Sequence, residues 1–368
     1  MRAGGCPVAH SDKWGGSWMP SRYEDIVEIA RDPQRFSTRA IEVAGPIPQG
    51  DGGFFSPPLT SGPADHKAHR DLLAPYFTPA RVAAFEGFVR EEATRCAERI
   101  RAAGGGDAVT EFARPIALGV LSRLLAVPAD MQDRFLDWAI RVIRLGGMDQ
   151  PLRSAAFGDA FEDLGRLLKE RSEQPGDALV SHIAQAQIDG QPLSNRHKLG
   201  TLLFVALAGA DTTWSSLGGS IWHLAQHPED RRRLIAEPEL FRTTAIEELL
   251  RMFAPVTMAR ITSEPVELQG RSVGQGERVL MPYPAANRDP AVFEDPDTVK
   301  LDRKRNRHLA FGTGAHTCLG APLARLEMRV GLQELLRVMP DFELMDATTD
   351  WTRGQVRGPE RVMIRPLS

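Results

Sequence analysis

Phe311-Gly312-Thr313-Gly314-Ala315-His316-Thr317-Cys318-Leu319-Gly320 sets one cysteine in a glycine-rich loop that runs straight into a helical pattern. Backbone N–H groups at a helix start favour a thiolate over a thiol, and thiolate is the form that ligates metal. Gly312, Gly314 and Gly320 let the chain turn tightly around the sulfur and pass close to something flat and bulky. An isolated cysteine most often packs as a small hydrophobe. That leaves three glycines and His316 unexplained, so the loop predicts a metal-ligating sulfur.

This decapeptide resembles the haem-binding signature of the cytochrome P-450 family, Phe-Gly-x-Gly-x-(His/Arg)-x-Cys-x-Gly, at every fixed place. The resemblance implies that Cys318 is the metal ligand, holding the iron of haem b, with Phe311, Gly312 and Gly320 shaping the loop against the cofactor. A thiolate ligand pushes electron density to iron and favours O–O cleavage. It also implies a mainly α fold with a minor β region, the haem lying between a long distal helix and the helix after the cysteine loop.

The rest of the chain is consistent with this. Its 368 residues, 42% hydrophobic, suffice for one large domain spanning 1–368. A formal charge of −3 gives no general attraction to nucleic acid. Cys6, Cys96 and Cys318 lack CxxC spacing, so neither a zinc site nor a disulfide framework is expected. The opening Met1–Pro7 has no apolar core of a signal peptide, and the apolar stretch at 202–210 is too short to span a bilayer. These features predict a soluble, cytoplasmic protein with no membrane contact.

Helical periodicity runs from Pro79 to about Met252, with helices expected at 81–102, 131–145, 154–174 and 194–226. Strands are expected at 16–19, 266–268 and 278–281, the last two forming a hairpin across Gly270, Gly274 and Gly276. The resemblance also marks the N-terminus as shortened, since bacterial members carry a further segment ahead of the strand at Gly16.

Mid-way along the longest expected helix stands Ala208-Gly209-Ala210-Asp211-Thr212. Gly costs a helix centre about 1 kcal/mol relative to Ala, and Asp and Thr compete for backbone hydrogen bonds. Such local violations mark functional sites. The family uses this pattern as its oxygen groove, which implies Thr212 and Asp211 as the catalytic pair delivering protons to dioxygen. Ala208 leaves room for the cofactor, and Gly209 and Val205 for the substrate.

His66 and Arg70 stand at i and i+4, adjacent on a helix. With Arg260 and His316 they match the positions at which the family holds the haem carboxylates. Glu248 and Arg251 match the family's structural Glu-x-x-Arg pair, with Arg288 as the third member, or else Arg303, Arg305 or Arg307. Lys67, Arg325 and Arg329 are a candidate basic patch for an electron donor. The substrate pocket is expected from Val205, Gly209, Val256, Thr257, Met258 and Val356, together with the loop at 41–59, where Phe54 and Phe55 stand. Apolar walls predict a hydrophobic small molecule.

The expected activity is thus insertion of one oxygen atom from O2 into that molecule. No flavin or nicotinamide module is legible, so a separate ferredoxin or flavoprotein is expected to supply electrons to a monomeric enzyme. A peroxide-using or isomerising haem-thiolate enzyme is the alternative, and a non-catalytic haem sensor a weaker one.

Overall fold

Ser194 opens the longest helix, Asn195–Gln226, by accepting the His197 N–H at 3.2 Å on its side chain. Apolar residues encircle this helix, so it lies buried through the middle of the protein. It is here called the central helix. The computed structural model describes residues 8–47, 55–128, 131–145, 149–346 and 348–367. Cys6 and Phe54 lie outside them. Most of the described chain is helical, as expected. Among the described residues, no helix is long and apolar enough to cross a membrane.

The central helix packs against Arg114–Leu125 and against Ala321–Val338, the helix that follows Cys318. The latter, the cysteine helix, lies in turn on Glu86–Ala102. Their facing side chains form one large apolar core. The expected helix at 81–102 is divided, Pro79–Ala83 being followed by Glu86–Ala102. The expected helix at 131–145 is α only to Trp138, and Ala139–Leu145 is wound as a π-helix. Such turns are rare and frequent at functional sites. Here the extra residue per turn aims Val142 and Ile143 into a cavity and Arg144 onto the central helix.

A second, smaller core lies under a five-stranded sheet. Its strand order is Val8–Ser11, Ser17–Pro20, Arg278–Pro282, Thr257–Thr262 and Phe36–Ser37. Arg278–Pro282 runs antiparallel to Thr257–Thr262, with Val279 opposite Arg260. The expected hairpin is therefore corrected. Val266–Leu268 pairs with Arg271–Val273, because Gly270 at φ 73° allows a tight turn there, and Arg278 continues into the larger sheet. A three-stranded sheet of Phe342–Leu344, Met363–Pro366 and Gly106–Asp107 lies elsewhere. Nearer the cavity, a bridge joins Val256 to Val356 and brings the C-terminal segment to its wall.

Candidate active site

Gly312 and Gly314 take φ of 69° and 76°, values that a side chain resists. At Gly314 a Cβ would also stand 2.9 Å from Ala30 O. The loop closes when Cys318 N–H donates to Phe311 O at 2.9 Å, and the cysteine helix starts three residues on, with Pro322 in its first turn. The Cys318 sulfur faces an internal cavity of about 320 Å³. Burial pushes its thiol up, while the Gly320 N–H, Arg70 and the Ala321 N–H pull it down. Burial prevails, so the thiolate expected from the helix start alone is not favoured. A bound cation reverses that balance by deprotonating a coordinating thiol.

Across the cavity lies the middle of the central helix. Ala208, Gly209 and Thr212 line the wall, and Val205 stands one turn before Gly209. Thr212 Oγ donates to Ala208 O at 2.8 Å, leaving its oxygen free to accept from the cavity side. Asp211 points elsewhere. It is fully buried, its carboxylate accepting from Arg144 at 2.5–3.1 Å and from Ser215 Oγ at 3.2 Å. Asp211 is thereby shut off from solvent, because Arg144 from the π-turn covers it. Nothing in the periodicity of 131–145 announced that contact.

Val256, Met258 and Val356 line the cavity, but Thr257 does not. The reason is strand alternation: residues 256, 258 and 260 share one face, and 257 turns to the other. That face carries Arg260 to the cavity, where it joins His66, Arg70 and His316. The rings of His66 and His316 lie 4.1 Å apart, and His66 Nε2 is buried with no hydrogen-bond partner. Burial, with Arg260, His66 and Arg70 nearby, pushes His316 down to about 3. Burial also pushes Arg70 and Arg260 down. Here is a buried group of donors short of acceptors, which suits a ligand bearing carboxylates.

The family's cofactor fits these residues. Cys318 offers sulfur on one side, the donor group suits two carboxylates at the rim, and Ala208 and Gly209 leave the helix face open opposite. Phe311 lines the same cavity, and a Cβ on Gly320 would lie 3.7 Å from the Cys318 sulfur.

Glu248 and Arg251 form a buried pair that is fully satisfied. Arg251 donates to both Glu248 oxygens at 2.8 Å, and its remaining protons go to the carbonyls of Asn287, Pro296 and Thr298. The third member is Arg303, which reaches Glu248 at 2.9 Å. Arg288 is corrected: its donors go to Met252 O and Asp297, since it leaves the chain ahead of the turn that carries Arg303 inward. The three candidate patch cations are each ion-paired, Lys67 with Asp71, Arg325 with Glu247 and Arg329 with Glu86.

Two further residues escaped the sequence reading. Arg144 is one. Glu327 is the other, a buried acid lining the cavity whose Oε2 has no partner and whose carboxyl burial pushes well up. Its signal was legible: it shares the apolar stripe of Leu323, Leu326 and Val330 on the cysteine helix.

Comparison with known proteins agrees with this geometry. The family model described as cytochrome P450 matches residues 159–351. The chain is 35% identical over 358 residues to cytochrome P450 130 of Mycobacterium tuberculosis, covering 95% of this chain and 88% of that protein. It is 34% identical over 356 residues to the mycinamicin IV hydroxylase/epoxidase of Micromonospora griseorubida, covering 93% and 88%. The solved structure of the bacillaene polyketide synthase cytochrome P450 PksS of Bacillus subtilis superimposes with a TM-score of 0.89 at 29% identity, covering 99% of this chain and 94% of that one.

Proposed function

The chain belongs to the cytochrome P450 family, whose named relatives include bacterial hydroxylases and epoxidases, and on that premise we propose that it inserts one oxygen atom from O2 into a hydrophobic small molecule. The whole chain acts as one catalytic unit, and a separate ferredoxin or flavoprotein supplies the electrons. The observation that carries this reading is one continuous cavity bordered by Cys318, the His66–Arg70–Arg260–His316 donors and the Ala208–Thr212 face. Four separate stretches of sequence meet there.

Haem b, when bound through Cys318, supplies the oxygen-activating chemistry, its thiolate ligand favouring O–O cleavage. The chain supplies the surroundings. Arg70, Arg260, His66 and His316 orient the cofactor by donating to its carboxylates. Val205, Val256, Met258 and Val356 exclude water and hold the substrate against the helix face.

Thr212 is the hydroxyl that holds a proton at the cavity. Its bond to Ala208 O fixes the oxygen toward that space, and rotation lets the same hydroxyl donate. Asp211 is the adjacent proton source, and it is closed while Arg144 covers both carboxylate oxygens. Proton supply therefore requires Arg144 to release Asp211, with Ser215 remaining as a partner.

The test is Thr212→Ala in the haem-loaded enzyme with a donor system. Substrate affinity should hold, while product formed per electron pair falls roughly a hundredfold, the lower end of what a positioned proton-transfer group contributes. Unchanged coupling would remove Thr212 from the reaction.

A further inference from the structure

One charged side chain on the cavity wall serves none of these roles. Arg153, in the first turns of the helix Gln150–Glu173, lines the cavity among Ile41, Val142, Ile143 and Phe157. Its guanidinium stands 5.3 Å from the Phe157 ring centroid, and its side chain is 14% exposed. Carrying a cation into an apolar wall is costly unless its donors are matched. Here they are matched only in part. Nη2 donates to Glu42 Oε1 at 3.1 Å, but Nε is buried without a hydrogen-bond partner.

Glu42 is itself a divided partner. Its other oxygen accepts from Ile41 N–H at 3.0 Å, and its charge also acts on the buried Arg278. A second donor on the same cavity is unmatched as well: Ser56 is fully buried, and its Oγ has no partner. Unsatisfied donors on an otherwise apolar wall are the means by which such a pocket reads an acceptor. A guanidinium matches a planar carboxylate in shape and charge. A doubly charged phosphate would meet stronger repulsion from Glu42 beside it.

We propose that Arg153 is the anion-recognition point of this cavity, and that the substrate is a hydrophobic carboxylic acid. Its carboxylate accepts from Arg153 Nε–H while its carbon skeleton lies along the apolar wall. Ser56 lines that cavity as a further donor. This assignment rests on the monooxygenase reading and adds to it the chemical class of the substrate.

The test compares decanoate with methyl decanoate by calorimetry on the haem-loaded protein. Wild type should bind the acid at least about tenfold tighter than the ester, as expected for a hydrogen bond to a charged group. Arg153→Met should abolish that preference, and Glu42→Gln should widen it by removing the competing carboxylate. Because Arg153→Met leaves Glu42 without its partner, the double variant Arg153→Met/Glu42→Gln keeps the site neutral and should lose the preference too. Equal binding of acid and ester by wild type, or a preference that survives in the double variant, overturns the proposal.

The reduced, carbon-monoxide-treated spectrum of the same samples separates the two readings. A thiolate-type band without acid preference overturns the role of Arg153 alone. Acid preference without that band supports Arg153 and overturns the haem-thiolate reading.

Discussion

The Glu248 cluster is buried and the Cys318 cluster lines a cavity; both carry charge, yet they are finished to different degrees. Around Glu248 the protein matches its own groups: two arginines, Lys300 N–H and Asn306 converge on one carboxylate. Arg251 spends its other donors on backbone carbonyls of the 287–298 stretch. Around Cys318 the matching stops short. His66 Nε2 and Glu327 Oε2 are buried without partners, and burial pushes Arg70 and Arg260 down. A saturated cluster holds the chain in place. An unsaturated one is where the chain receives something else.

The largest test of this contrast is Glu248→Ala. Removing one member of a buried ionic network strands the others, at about 3–5 kcal/mol. The denaturant midpoint should fall accordingly, and a loss under about 1 kcal/mol would mean that the network is dispensable.

His197 stands between the two clusters in character. Its ring lies 4.3 Å from that of His69 and 5.6 Å from Phe55, its Nε2 has no partner, and burial pushes it down to about 4. The free value is 6.5, so between 6.5 and 4 the unfolded chain binds the extra proton. Stability from this group is complete above about pH 6.5 and is lost as pH falls toward 4, by up to about 3 kcal/mol. His69 and Asp65 are the titratable neighbours that act on it. His197→Gln should flatten stability across that window, and an unchanged slope would assign the loss to other groups.

Arg70→Ala sharpens the contrast from the other side. It should weaken haem retention about tenfold, the value of a charge-assisted hydrogen bond. The folding midpoint of the haem-free protein should not fall, and a fall would place Arg70 with the structural cluster. The same contrast covers Glu327→Gln. Burial favours the neutral form of this acid in the fold. The substitution should therefore raise stability near pH 7, read as a higher melting temperature.

Local pattern carried much of this into the sequence. Glycine spacing around Cys318, the acid–alcohol pair inside an apolar helix, and the i, i+4 pair His66/Arg70 are read from neighbours in the chain. Periodicity likewise located the helices near 150–174 and 194–226 within a few residues. What stayed hidden depends on distant contacts. Arg144 covers Asp211 across 67 positions, and Arg303 reaches Glu248 across 55. The choice of Arg303 over Arg288 is made by how the turns at 295–303 fold, which no periodicity encodes. By periodicity the π-turn at Ala139–Leu145 is indistinguishable from a continued α-helix, because the two share their apolar spacing over one turn. Thr257 leaves the wall for a simpler cause: adjacent strand residues face opposite ways, and only two of three neighbours can line one wall.

The cofactor and catalytic assignments depend on sulfur at position 318 holding haem iron. The direct measurement is the spectrum of purified protein after reduction and exposure to carbon monoxide, taken for wild type and for Cys318→Ser. The account predicts the red-shifted Soret band of thiolate ligation in wild type and its loss in the variant. A wild type without that band, or a Cys318→Ser protein that keeps it, would contradict the account.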